Sequence, residues 1–144
     1  MQQTDIAIEQ RLAAHGIRFT KGRRALVAAL TDTDGPRTAA ELHAQLEQSV
    51  PLSSLYRSLT VLSEAGVIAT HHGQAGILRF ELAEWLTGHH HHLICTSCGA
   101  VIDAVPSRAQ EAEMRHIVET MATPHGFEPG AHRFEIEGRC ATCR

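Results

Sequence analysis

The stretch "SSLYRSLTVLSEAGVIATHHGQAGILRFEL", residues 53–82, changes its hydrophobic period in the middle, and this change decides the fold. Up to Gly66, three leucines recur at the i, i+4, i+7 spacing of one helix face: Leu55, Leu59 and Leu62. After Gly66, two short strand-like runs surround the glycine-containing turn "GQAG". The stretch therefore predicts an amphipathic helix over 53–65 followed by a β-hairpin over 67–82.

Three more helices are predicted upstream of this stretch. Thr4 and Thr20 stand where each can cap a helix, and Thr38 with Glu41 has the spacing of a capping box. Short helices followed by a hairpin are the layout of a winged helix-turn-helix, with 53–65 as the recognition helix and the hairpin as the wing. An amphipathic helix of this kind is also explained by a solvated surface with no partner.

A second domain is predicted after the segment "EWLTG", residues 84–88, which looks like a hinge into a second unit. Strand-like runs flank a Cys-x-x-Cys, and Ser107 with Gln110 can cap a helix that reaches about Thr123. The run "HRFEIEG" then alternates as a strand. The predicted fold class is α+β, with a winged-helix domain over 1–83 and a small α/β domain over 89–144.

Composition and charge restrict the class of protein. With 144 residues, 43% of them hydrophobic, the chain can bury a core, and no apolar run approaches the ~18 residues that span a bilayer. We therefore expect a soluble protein of the reducing cytoplasm, with no membrane partner. The net charge of −3 disfavours nucleic acid, but residues 11–30 contain five cations and no acid: Arg11, Arg18, Lys21, Arg23 and Arg24.

Four cysteines form two Cys-x-x-Cys pairs, Cys95 with Cys98 and Cys140 with Cys143. Two residues between thiolates let both bind one ion from a tight turn, and two such turns complete a tetrahedral four-sulfur shell. A closed shell of this kind is typical of structural zinc. In a reducing compartment, disulfides are the weaker alternative.

Four histidines, residues 89–92, precede the first cysteine pair. If they enter a strand, side chains alternate between faces, so His90 and His92 point one way and His89 and His91 the other. Two ions can each take an alternate pair, whereas one ion cannot easily take all four. A solvent-exposed, tag-like run is the alternative, and it is weakened because the histidines lead directly into the apolar "LIC".

Each histidine pair has candidate partners elsewhere in the sequence. Glu81 ends the wing strand and Asp103 follows the Cys-x-x-Cys turn, so both are candidates to join His90 and His92. His132, with a carboxylate from the 107–123 helix, is a candidate for the other pair; that carboxylate is either Glu111 or Glu113. Shells of nitrogen and oxygen ligands suit Zn, Fe(II), Mn, Co or Ni.

Together, the blocks "IRFTKGRRALVAAL", "SSLYRSLTVLSEAGVI", "RFEL", "HHHHLICTSCGAVID" and "HRFEIEGRCATC" resemble the ferric uptake regulator family of metal-sensing bacterial repressors over nearly the whole chain. The resemblance implies a homodimer, with the C-terminal domain as the dimerisation domain, that binds double-stranded DNA at an inverted-repeat operator. It implies a repressor of metal uptake or homeostasis genes, with a metal ion as co-repressor and no enzymatic activity.

The resemblance also implies roles for single residues. Tyr56 and Arg57 match positions that contact a base edge and a phosphate in the major groove, Ser54 stands in the same signature, and Arg18 matches a minor-groove residue. The four cysteines match a structural zinc site. Regulatory-metal ligands are matched by Glu81, His90 and His92, with Asp103 in some branches, and a second site is matched by His89, His91 and His132.

Departures from the family pattern leave several assignments open. Where the family often has a histidine before its third helix, this chain has Pro36 and Arg37, so His71 or His72 is a candidate replacement. The segment between the cysteine pairs is longer than usual, which leaves Glu111 and Glu113 as alternatives. The regulatory metal is Fe(II) or Zn by this pattern, with Mn or Ni as further candidates.

Three other functions are alternatives at this point. A peroxide-sensing repressor of the same family favours aspartate where Glu81 stands. A zinc hydrolase would use Glu81, His90 and His92 as ligands and Asp103 as base, but the sequence contains no His-Glu-x-x-His. A zinc-stapled interaction module without DNA affinity is the third.

Overall fold

The computed structural model describes residues 2–47 and 49–144, with only the backbone of Gln2, and divides into two compact units. The first unit ends at Gly88 and the second begins at His89. In the first unit, the elements are helices α1 (Gln2–Ala14), α2 (Lys21–Thr31), α3 (Ala39–Gln45) and α4 (Leu52–Glu64), strands β1 (Ile68–His72) and β2 (Leu78–Leu82), and helix α5 (Glu84–Thr87). In the second unit, they are β3 (His91–Cys95), β4 (Val101–Ala104), α6 (Arg108–Ala122) and β5 (Glu135–Gly138).

Capping side chains explain where several helices begin. The Thr20 hydroxyl accepts a hydrogen bond from the backbone N–H of Arg23 at the start of α2. Thr38 with Glu41, and Ser107 with Gln110, form complete capping boxes at α3 and α6. These three predicted caps are confirmed. The predicted cap at Thr4 is wrong, because α1 already begins at Gln2 and Thr4 lies within its first turn.

The hydrophobic core of the first unit is built from one face of each long helix. Leu55, Leu59 and Leu62 of α4 are at most 1% exposed, as the spacing predicts, and they pack with Ile8 and Leu12 of α1. Burial of this set fixes the roll of α4, so that its opposite face points outward. That face carries Tyr56 and Arg57, both exposed.

The wing, β1 and β2 with their connection, is an antiparallel hairpin in which Ile68 pairs with Leu82. A short 3-10 turn at Gln74–Gly76 connects the strands. Phe80 also pairs through its backbone with Arg37, which attaches the wing to the segment that enters α3. The predicted hairpin is therefore confirmed.

In the second unit, three strands form a sheet in the order β4-β3-β5. β4 is antiparallel to β3, with His92 opposite Asp103, and β5 is parallel to β3, with Cys95 opposite Gly138. Because Cys95 pairs with Gly138, Cys140 lies only two residues beyond the partner of Cys95. The parallel pairing therefore brings the two cysteine turns to one end of the sheet.

Within the segment 84–88, predicted as a hinge, residues Glu84–Thr87 form the single helical turn α5, and the whole segment belongs to the first unit. Leu86 of this turn is partly buried against the core. No helix in the described ranges is both long enough and apolar enough to cross a membrane.

Candidate metal centres

The four cysteine sulfurs gather where β3 ends and the chain leaves β5. All four Sγ atoms lie within 4.8 Å of one another, and those of Cys98 and Cys140 are 3.8 Å apart. Four sulfurs held ~2.3 Å from one central zinc ion in a tetrahedron lie about 3.8 Å from each other. The thiols are not joined in disulfides. The arrangement therefore fits one tetrahedral zinc ion.

Hydrogen bonds from the backbone and between the sulfurs shift the pKa values of three of these thiols. The backbone N–H of Cys140, followed by that of Cys98, lowers the pKa of Cys95 to about 6. A hydrogen bond with Cys143 lowers the pKa of Cys140. The same contact with Cys140, together with Cys98, raises the pKa of Cys143 to about 12. Part of the cluster thus holds protons that a bound zinc ion would displace.

A second cluster lies between the histidine run and helix α6. His132 Nε2 is 3.1 Å from Glu111 Oε1, while His91 Nε2 and His89 Nε2 are 3.4 and 3.7 Å from Glu111 Oε2. His132 Nε2 is buried and forms no hydrogen bond with any described residue. A buried ring nitrogen without a hydrogen-bond partner, beside a carboxylate and two imidazoles, is suited to bind a divalent cation.

Helix geometry decides between the two carboxylates left open by the sequence. Glu111 joins the cluster, whereas Glu113 is exposed and outside it. Residues two apart on a helix point in nearly opposite directions, so both cannot face the histidines. The structure therefore brings Glu111, but not Glu113, to the histidines.

The third cluster uses the other face of the histidine run. His90 Nε2 and His92 Nε2 lie 3.7 and 3.6 Å from the same oxygen, Asp103 Oδ1. Both histidines are buried, and the cross-strand pair of β3 and β4 sets His92 opposite Asp103. These separations exceed an ordinary hydrogen bond, and a shared cation would fill such a gap. The structure thus separates alternate histidines as strand geometry predicts.

Glu81 lies in the first unit, on strand β2 of the wing. Its partner across the hairpin is Ala69, and His71, two residues further along β1, lies on the same face. His71 Nε2 contacts the Glu81 carboxylate. His72 points to the opposite face and is exposed, so the structure brings His71 but not His72 to Glu81.

The predicted DNA-contacting residues lie on the surface of the first unit. Tyr56 is 52% exposed, Arg57 and Arg18 are exposed, and Ser54 is half-buried. Of the five clustered cations, Arg24 is paired with Asp5 and Glu9 of α1. Among the described residues, no ion pair involves Arg18, Lys21 or Arg57, which leaves these charges available for phosphate.

Sequence reasoning missed two groups of contacts that organise this unit. Arg79, which is 9% exposed, donates to the carbonyl of Pro36 and to the carboxylate of Glu41, each at 3.3 Å. Arg11 and Trp85 both contact the C-terminal end of α4. These contacts join positions far apart in the chain, so no local sequence pattern predicts them.

Comparison with known proteins agrees with this architecture. The model of the ferric uptake regulator family matches residues 14–137. The zinc uptake regulation protein of Mycobacterium tuberculosis is 33% identical over 138 residues, covering 92% of this chain and 99% of that protein. The ferric uptake regulation protein of Rhizobium leguminosarum is 30% identical over 140 residues, covering 94% of each chain. The crystal structure of the Vibrio cholerae ferric uptake regulator aligns with a TM-score of 0.71 at 27% identity, covering 92% of this chain and 98% of that one.

Proposed function

Since the chain belongs to the ferric uptake regulator family, we propose that it represses metal-uptake genes by binding an inverted-repeat operator when a regulatory metal ion is bound. Members of this family are transcription factors that act as metal-dependent, DNA-binding dimers. The observation that carries the proposal is the division of the histidine run into two clusters beside a separate four-cysteine cluster. One chain thus offers one site for a structural ion and further sites whose occupancy can change with the supply of metal.

The regulatory ion in this proposal is held by His90, His92 and Asp103 of the second unit together with Glu81 of the first. His71 contacts the Glu81 carboxylate and is proposed as the replacement for the histidine missing near Pro36. An ion with ligands from both units would favour one arrangement of the two recognition helices in the dimer. Metal would thereby act as co-repressor by shifting a conformational equilibrium.

The metal preference follows from the ligand atoms. Imidazole nitrogens with carboxylate oxygens suit Fe(II) and Zn, and also Mn and Ni, whereas no thiolate belongs to this set. We propose Fe(II) or Zn as the regulatory ion. The four cysteines would hold a structural Zn, and His89, His91, Glu111 and His132 would hold a second divalent ion.

DNA recognition is assigned to α4 and to the loop before α2. Tyr56 and Arg57 lie on the exposed face of α4, whose N-terminal half enters the major groove in this class of fold. Ser54 and Arg18 complete the proposed contact set. In the same proposal, the exposed hydrophobic residues of the second unit, such as Phe127 and Ile136, lie in the dimer interface. The site of action would be the cytoplasm.

The test is operator binding measured against metal and salt. Inverted-repeat duplexes are first selected from a random pool by the zinc-loaded wild-type dimer. Binding of the dimer to these duplexes is then measured with added Zn, Fe(II), Mn and Ni in turn. We expect tight binding only with the cognate metal, and a steep loss of affinity with rising salt. Glu81→Ala should remove the metal response while leaving a folded, zinc-containing dimer. Metal-independent binding by the wild type would contradict the proposal.

A further inference from the structure

The single tryptophan of the chain lies on α5, the one helical turn that directly precedes the histidine run. Its indole Nε1–H donates to the carbonyl of Gly66, 2.7 Å away, at the C-terminal end of α4. Trp85 is 44% exposed, so filling the core is not its main contribution. Instead, it connects the segment before the metal ligands to the end of the recognition helix.

Arg11 of α1 completes this contact. Its Nε–H donates to the carbonyl of Ala65 at 2.7 Å, and its guanidinium lies over the Trp85 ring, 5.1 Å from the ring centre. The carbonyls at the end of a helix have no partners within the helix and carry partial negative charge. Arg11 and Trp85 therefore satisfy two neighbouring groups at the end of α4 and hold each other in place by a cation–π contact.

Gly66 is required for this arrangement. It has a φ of +66°, and a Cβ placed on it would lie 2.9 Å from a guanidinium nitrogen of Arg11. A side chain here would be strained by the backbone and would displace Arg11. We call the set of Arg11, Ala65, Gly66 and Trp85 the linker clamp.

The linker clamp determines how the chain leaves the first unit. A helix of four residues is not stable by itself, so α5 depends on its contacts with the core and with the clamp. Gly88 follows α5 with φ 85° and ψ 169°, a conformation that only glycine adopts readily. Two residues further on lies His90, while Glu81 lies three residues before α5. The clamped segment thus connects two proposed ligands of one ion.

We propose that Arg11 and Trp85 are positioning residues for the regulatory metal, and that they act by ordering the segment between Glu81 and His90. This inference rests on the proposed function of that site. With the clamp in place, the segment is already ordered before the ion binds, so metal binding bears less of the entropic cost of ordering it. Without the clamp, metal binding must supply the whole cost of ordering the segment, so the metal affinity is lower.

The experiment uses calorimetry to titrate Zn²⁺ into the dimer of this chain, with its structural zinc already bound. Trp85→Ala and Arg11→Ala should each weaken binding at the regulatory site about tenfold, in the range typical of coupled sites. Trp85→Phe keeps a ring over Arg11 but loses the indole donor, so its effect should be smaller. Ile6→Ala is the matched control, because Ile6 is an exposed residue of the same helix as Arg11, and it should bind as the wild type does.

A second measurement distinguishes loss of order in this segment from general destabilisation of the first unit. Amide hydrogen exchange over residues 84–88 should accelerate in Trp85→Ala and Arg11→Ala, while exchange within α2 and α3 and the zinc content stay at wild-type values. The double variant should weaken metal binding no more than the stronger single variant, because both residues order the same segment.

Two negative results are distinguishable. If the wild type shows no Zn²⁺ binding event that His90→Ala removes, the proposed regulatory site itself is wrong. If that event exists and both clamp variants bind Zn²⁺ with wild-type affinity although exchange at 84–88 has accelerated, the clamp does not position the site and this inference is overturned.

Discussion

The two units of this chain are stabilised in different ways. In the described part of the first unit, seventeen hydrophobic residues are buried in one cluster. In the second, the buried hydrophobic residues are Cys95 and Val101, and three histidines of the same unit are also buried. The second unit also exposes large apolar side chains, among them Val105, Met121 and Phe127. The first unit is thus held by apolar burial, whereas in the function proposed here the second is held by bound ions and by a partner surface.

The strongest test of this contrast is the loss of the four-cysteine site. Cys95→Ser should abolish zinc binding there and unfold the second unit, since structural zinc contributes about 10–16 kcal/mol of apparent binding free energy at pH 7. The first unit should remain folded, as judged by hydrogen exchange of its helices. Ser97→Ala, in the same turn, is the control and should retain zinc. A variant that loses zinc yet keeps a folded second unit would contradict the contrast.

A smaller loss is expected from the core of the first unit. Leu59→Ala removes a side chain that is 1% exposed, and should lower the free energy of unfolding of this unit by about 2–5 kcal/mol. Leu52→Ala changes an exposed residue of the same helix and should cost less than about 1 kcal/mol. Urea unfolding gives both values. The loss at Leu59 should be the same with and without added metal; a loss that disappears on adding metal would show that ions stabilise this unit too.

The smallest effect belongs to the second histidine cluster. His91→Ala should lower the metal content by one ion per chain and leave the four-cysteine zinc in place, because the two clusters share no ligand. Operator affinity should fall less than in a variant of His90. Metal analysis and DNA titration check this, with His116→Ala, an exposed histidine of α6, as control. Unchanged metal content would remove this cluster from the candidate sites.

Local chemistry made much of this architecture predictable. The caps at Thr20, Thr38 and Ser107, the leucine face of α4 and the hairpin all depend on residues within a few positions of each other. The same is true of the histidine run, because strand geometry alone sends alternate side chains to opposite faces. Such features are encoded within one element and need no knowledge of its neighbours.

Long-range placement could not be predicted in the same way. Whether Glu111 or Glu113 faces the histidines depends on how α6 is rotated against the sheet, and the choice of His71 over His72 depends on the register of the wing. In the linker clamp, the Arg11–Ala65 contact spans 54 positions of the sequence and the Trp85–Gly66 contact spans 19. The segment 84–88 is predicted as a hinge from its place in the sequence, and the contact of its tryptophan with the end of α4 could not be predicted from residues close to it in the chain.

In the proposed function, an ion bound by His90 makes DNA binding depend on metal. The most direct measurement is the ratio of operator Kd without and with the cognate metal, in the wild type and in His90→Ala, with zinc content recorded for both. His125→Ala, an exposed histidine away from the clusters, is the control. We predict a ratio of tenfold or more, within the ~5–150-fold range of typical allosteric coupling, for the wild type and the control, and a ratio near one for His90→Ala with its structural zinc retained. A His90→Ala protein that keeps the wild-type ratio would contradict the account.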